Sequence, residues 1–164
     1  MKSTKDLLLI LASICFLMIL GAAMYEHLGV VPRWSAALPA SLAMFQGEYG
    51  ITPQYFWIPI HPVTILLMIG ALITNWNTAR RKNILTVLIG YVIILIITYV
   101  YFVPVLIGFI ETPYQDTVDQ ALVSSASTWE MLSIVRMIFI LILSFILLST
   151  LTISNAVTRE VVTP

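Results

Sequence analysis

In a chain dominated by leucine, isoleucine and valine, Glu26, His27, His61, Glu130 and Arg136 stand out because they can take, give or hold charge. A carboxylate or imidazole can accept a proton from an acidic bond of a small organic molecule. A guanidinium can then hold the anion that forms, and does so most strongly where water is excluded. The same groups can instead serve structure alone: a carboxylate paired with a guanidinium fixes how two helices meet.

Each residue has its own context. Glu26 lies in MYEHLGVVPRW and follows Cys15, Met18 and Ala22 at spacings of three and four, so it is expected to point into the protein with that stripe. Gly21, Ala22 and Ala23 would let a neighbouring helix come close. The alternative is a carboxylate at the membrane surface, solvated or paired with Arg33. His27 projects about 100° further round an ideal helix. It can flank the same groove if Gly29 and Pro32 loosen the helix end, or it can sit solvated at the interface. His61 lies in IPIHPV, and Pro59 and Pro62 suggest the first turn of a helix. A neutral imidazole there can accept a proton, bind a metal or simply bond to a loop. Glu130 closes Ser127-Thr128-Trp129-Glu130, a capping-box pattern ahead of an apolar run, which favours a structural role over catalysis. Arg136 shares a face with Trp129, Leu132 and Ser133 and needs an acceptor, for which Glu26 or a substrate oxygen are the candidates.

The elements that carry these residues follow from composition. Of the 164 residues, 60% are hydrophobic and only 10% charged, far fewer than a soluble domain's quarter, so the chain reads as a single-domain integral membrane protein. Zero net charge argues against nucleic acid as a partner. The lone Cys15 allows no internal disulfide and no zinc pattern. Four segments reach the ~20 residues that a bilayer requires: about 7–30, 57–76, 84–110 and 129–154. The first is read as a retained helix, because its apolar run is about twice a signal-peptide core. The expected fold is an all-α, up-down four-helix bundle in the lipid bilayer, with a structured outer loop between helices 1 and 2. Self-association into a homo-oligomer is left open.

Lys2, Lys5, Arg80, Arg81, Lys82 and Arg159 fall on one side of such a bundle, which puts both termini in the cytoplasm by the positive-inside rule. NTARRKN makes a tight hairpin of the second and third spans. The longer segment 32–56 contains LPASLAMFQGEYG, read as a short surface helix closed by Gly47 or Gly50, and the acidic stretch 111–128 reads as a loop. Trp34, Trp57 and Trp129 mark the outer boundary and Trp76 the inner one, as an aromatic belt would. Counted inward from Trp129 at 1.5 Å per residue, Arg136 is about 10 Å deep. Glu26, His61, Thr98, Tyr99 and Tyr101 fall in the same layer, so all four helices contribute polar groups beneath the outer interface and the inner half lacks a comparable set. That asymmetry disfavours a channel or transporter. A metal site is also disfavoured, because a di-iron bundle needs a Glu-x-x-His pair on each of two helices and neither is present.

The order YEHLGVVPRW, LPASL, FW, YFVP and WEMLSIVR resembles the anthrone-oxygenase-like family of small four-helix membrane proteins, with Ser133 where members often carry asparagine. The resemblance implies oxidation of a small, flat, polyketide-like phenolic substrate with no metal or flavin cofactor; the polar layer beneath the outer interface places that substrate in an outward-facing pocket. On that reading His61, Glu26 or His27 is the base and Arg136 holds the anion. Trp57, Tyr99, Tyr101, Trp129 and Ser133 line the substrate. The competing expectation is a non-catalytic binding or accessory subunit in which Glu26 and Arg136 form a structural ion pair.

Overall fold

Backbone polar groups inside a bilayer have no water to bond, so long apolar runs resolve into helices. The computed structural model describes residues 4–154 and has four such helices: α1 Thr4–Trp34, α2 Gln54–Thr74, α3 Arg81–Ile110 and α4 Gln120–Thr150, each long and apolar enough to cross a membrane. The protein is an all-α, four-helix membrane bundle. Each helix packs on its chain neighbours and α1 closes the ring against α4. Lys2 and Arg159, used above for orientation, lie outside the described residues.

The boundaries differ most in α4, which begins nine residues before the expected 129. Asp119 is its cap: the carboxylate accepts from the Ala121 N–H at 2.8 Å and the Leu122 N–H at 3.2 Å. The stretch QALVSSAST continues the helix because Ala126 is buried, with Leu122 and Val123 packed beside it. Ser127 and Glu130 are therefore interior to α4, and the capping-box reading is replaced. Asp119→Ala should lower stability by about 1 kcal/mol, measured by thermal unfolding in detergent.

α2 starts at Gln54, so Pro59 and Pro62 are interior and His61 is not at a helix start as expected. Neighbouring helices tolerate proline in membrane spans. In α1, Leu9, Phe16 and Ala23 are buried seven residues apart, returning to nearly one face. The next buried residue, Val31, comes eight on. A wide turn over Glu26–Val30 absorbs the extra residue, with the Val31 N–H reaching back to the Glu26 carbonyl. α3 has a matching wide turn over Thr98–Phe102. Each turn is followed by Val-Pro (Val31-Pro32 and Val103-Pro104), and it opens the helix where the proline ring would crowd the preceding carbonyl. The buried stripe of α1 also differs from the expected one: Met18 is half exposed, and Gly21 has open space where a neighbour was anticipated.

One end of the bundle is held by Arg80, only 5% exposed. It pairs with Asp6 at 2.6 Å and donates to the Ile153 and Leu151 carbonyls at 2.7 and 3.3 Å. The start of α1, the α2–α3 turn and the end of α4 are thereby joined. The other end is covered by the loop between α1 and α2. Its short helix is a 3-10 turn, Ala40–Phe45, followed by Gly47 at φ +77°, a conformation that favours glycine. A side chain at Gly50 would come within 2.7 Å of the Phe45 carbonyl. The loop is packed inward: Leu38 and Leu42 are fully buried, and the Leu38 carbonyl accepts from the Asp119 N–H at 2.9 Å.

Candidate functional site

Three helices meet through a chain of polar contacts in the half of the bundle nearest that loop. Glu26 opens the wide turn of α1, three residues after buried Ala23, and its Oε1 accepts from the Trp57 indole N–H at 2.7 Å. One turn further along α2, the His61 ring stacks on Trp57, with centroids 5.5 Å apart and planes 21° off parallel. His61 Nδ1 shares a 2.7 Å hydrogen bond with the Tyr91 hydroxyl of α3, in which either can be the donor. Tyr91 is fully buried and meets Phe16 edge-on at 4.9 Å. Tyr91 was missed from sequence. The signal was its seven-residue spacing from Thr98, which returns it to nearly the same face of α3.

Arg136 faces α3 rather than the membrane surface. It donates to the Thr98 hydroxyl at 3.1 Å and to the buried Ser133 hydroxyl at 2.9 Å, and its guanidinium carbon lies 4.2 Å from the centre of the Phe102 ring. Thr98 can accept because its own proton goes to the Ile94 carbonyl at 2.7 Å. Among the described residues the one ion pair within contact distance is Arg80–Asp6, so Arg136 has no carboxylate against it. Glu26 attracts it from beyond contact, and Arg136 also acts electrostatically on His61. The guanidinium is thus solvated by two neutral hydroxyls and a ring face, which is a weak match for a full charge removed from water.

The remaining candidates divide between core and surface. Trp129 is buried, donates from its indole to the Phe102 carbonyl at 3.0 Å, and packs on Trp34 at 5.5 Å. Trp34 is 2% exposed, so these two are core residues rather than an interfacial belt. Trp76 is half exposed with Arg81 over its ring, as a boundary residue would be. Tyr99 is 55% exposed on the lipid-facing side, whereas Tyr101 borders a groove beside Arg136. His27 Nδ1 must carry its proton, since it bonds to the Ala23 carbonyl at 2.8 Å. Its Nε2 is buried without a partner among the described residues. No group of three or more His, Cys, Asp or Glu among the described residues is arranged to hold a metal.

Two hollows adjoin this layer, each about 200 Å³. One lies between α1 and α2 and is apolar, bounded by Met18, Phe56 and Pro59. The other lies between α3 and α4, with Ile97, Tyr101, Leu132, Val135 and Phe139 around Arg136. His61 and Glu26 do not line it.

The Trp57–Glu26 contact makes a direct prediction. Trp57→Phe keeps the stacking ring but removes the donor, and should lower thermal stability by about 1–2 kcal/mol. Glu26→Gln retains an acceptor oxygen and should be milder in the same unfolding measurement.

No family model, curated protein or solved structure matches this chain.

Proposed function

We propose that the protein is a membrane-embedded enzyme acting on a small, hydrophobic, aromatic molecule that bears an acidic oxygen. The observation that carries this reading is Arg136, a cation without a contacting carboxylate at the foot of an apolar groove. An aromatic body satisfies the groove walls, and an anionic oxygen gives the guanidinium the charge-assisted hydrogen bond it lacks. His61, linked to Tyr91, is the favoured base, with Glu26 and then His27 behind it; none of the three lines the groove, so the reading requires a proton relay or a movement of the helices to bring base and substrate together. Proton removal leaves an electron-rich anion; in the anthrone-oxygenase-like chemistry that the sequence resemblance implies, dioxygen oxidises its activated ring CH2 to a carbonyl, one oxygen atom entering the product and the other leaving as water. Tyr101 would contact the substrate and Ser133 would position Arg136, whereas Trp57 lies outside the groove and would act through Glu26 and His61.

In this reading the end carrying Lys5, Arg80, Arg81 and Lys82 faces the cytoplasm, and the end carrying Glu48, Glu111, Asp116 and Asp119 faces outward. The alternative, a non-catalytic binding subunit, is favoured by the way Glu26 and His61 already have protein partners. A contact ion pair between Glu26 and Arg136 is not part of that alternative, since the two groups do not touch.

The deciding experiment is dioxygen uptake by the purified protein in lipid vesicles with a hydroxylated fused-ring aromatic. Uptake above a protein-free vesicle blank, lost in His61→Phe, supports the enzyme. Saturable binding of the compound with no uptake would leave the binding subunit.

A further inference from the structure

The groove at Arg136 has walls that belong to the outer face of the bundle. Ile97, Tyr101, Leu132, Val135 and Phe139 are between 37% and 56% exposed, and all lie within membrane-spanning helices. Their exposure is therefore to hydrocarbon rather than water. The route from the loop end is shut: Trp34, Leu38, Leu42, Phe109 and Trp129 form a core cluster above Arg136, none more than 5% exposed. The groove opens sideways, between α3 and α4.

Size narrows the occupant. A cavity of about 150 Å³ holds benzene. The groove, at about 200 Å³, has room for a substituted ring or a short run of methylenes, while the rest of a larger molecule stays in lipid. A two-chain phospholipid fits poorly, because its phosphate is held at the surface, whereas Arg136 lies beneath the buried Trp34–Trp129 cluster and about 24 Å along α4 from its start at Gln120. We propose that the groove takes an amphiphilic monoanion dissolved in the leaflet, a carboxylate or phenolate on an apolar body, which slides in between α3 and α4 and sets its acidic oxygen on Arg136. This rests on the anion-binding role proposed for Arg136 and adds the ligand's amphiphilic character and its lateral route from the leaflet.

The test uses the full chain in phosphatidylcholine nanodiscs with cis-parinaric acid, whose polyene accepts excitation energy from tryptophan, and its methyl ester as the uncharged control. At alkaline pH the acid should give saturable energy transfer above simple partitioning. The ester should bind at least about tenfold more weakly, the factor expected on losing one hydrogen bond to a charged group. Arg136→Met should weaken the acid to the level of the ester. Val135→Phe, which fills the groove without touching the charge, should block both. Oleate should displace the probe, and phosphatidylglycerol added to the disc should not. Energy transfer that rises linearly with probe, equal binding of acid and ester, or displacement by phosphatidylglycerol alone would overturn the proposal. Saturable binding of the acid without turnover of any aromatic would defeat the enzyme reading and leave this one standing.

Discussion

Arg136→Met is expected to reduce affinity for an acidic aromatic by roughly tenfold to a hundredfold, and to abolish turnover, while the bundle remains folded. The variant removes the charge that would hold the ligand's oxygen, and a hydrogen bond to a charged group contributes about 1.5–3 kcal/mol. Stability should change little. Methionine fills similar volume in an apolar groove, and the variant no longer keeps an uncompensated cation out of water. Thr98 keeps its bond to the Ile94 carbonyl. The measurements are calorimetric titration and thermal unfolding of the same detergent-solubilised samples. A structural role predicts the reverse: a large stability loss that Glu26→Gln partly restores. Because the two groups attract each other only from beyond contact, their coupling in a double-mutant cycle should be small, about 0.5–1 kcal/mol. Coupling of 2 kcal/mol or more, with ligand affinity unchanged, would reject Arg136 as a binding residue.

The largest loss of stability is expected far from the site, at Arg80. Arg80→Met leaves the Leu151 and Ile153 carbonyls without their side-chain donor and removes the Asp6 carboxylate's partner in the ion pair. Removing one member of a buried pair is destabilising by about 3–5 kcal/mol. Arg80→Met is placed at the lower end, about 3 kcal/mol, because the Asp6 side chain is 24% exposed and partly reached by solvent. Asp6→Asn should lose less, since Arg80 retains both carbonyls. Arg80→Lys should fall between, because a point charge cannot reproduce the planar fork that engages three acceptors. Unfolding in a denaturing detergent titration ranks the three. An Arg80→Met protein as stable as the parent would mean that this end is held by packing alone.

Arg80 also illustrates the limit of reading charge from sequence. Within NTARRKN it is indistinguishable from Arg81, and both count equally toward orientation. Only the approach of Asp6 and the end of α4, more than seventy positions away, separates a buried clamp from the exposed Arg81 beside it. Trp129 and Trp34 make the same point. Their positions at the ends of apolar runs suit an interfacial belt, but the loop from Ser35 to Pro53 folds over them and makes them core. Nothing local to either tryptophan announces that loop's path.

The number of spans, their up-down order, the hairpin at 75–80 and the layer holding Glu26, His61, Thr98 and Arg136 were all determined by the sequence alone. Each follows from hydropathy, length and the high free energy of placing a polar group in hydrocarbon, which depend on position along a helix and not on its neighbours. Which face of each helix turns inward, and therefore which polar groups meet, was decided by the tertiary structure. In a bilayer the outside of a helix is as apolar as the inside, so the pattern of greasy residues does not distinguish the two. The stripe through Phe16 and Ala23 rather than Met18, the pairing of His61 with Tyr91, and the sideways opening at Arg136 are outcomes of side-chain packing between helices, decided where the four surfaces fit.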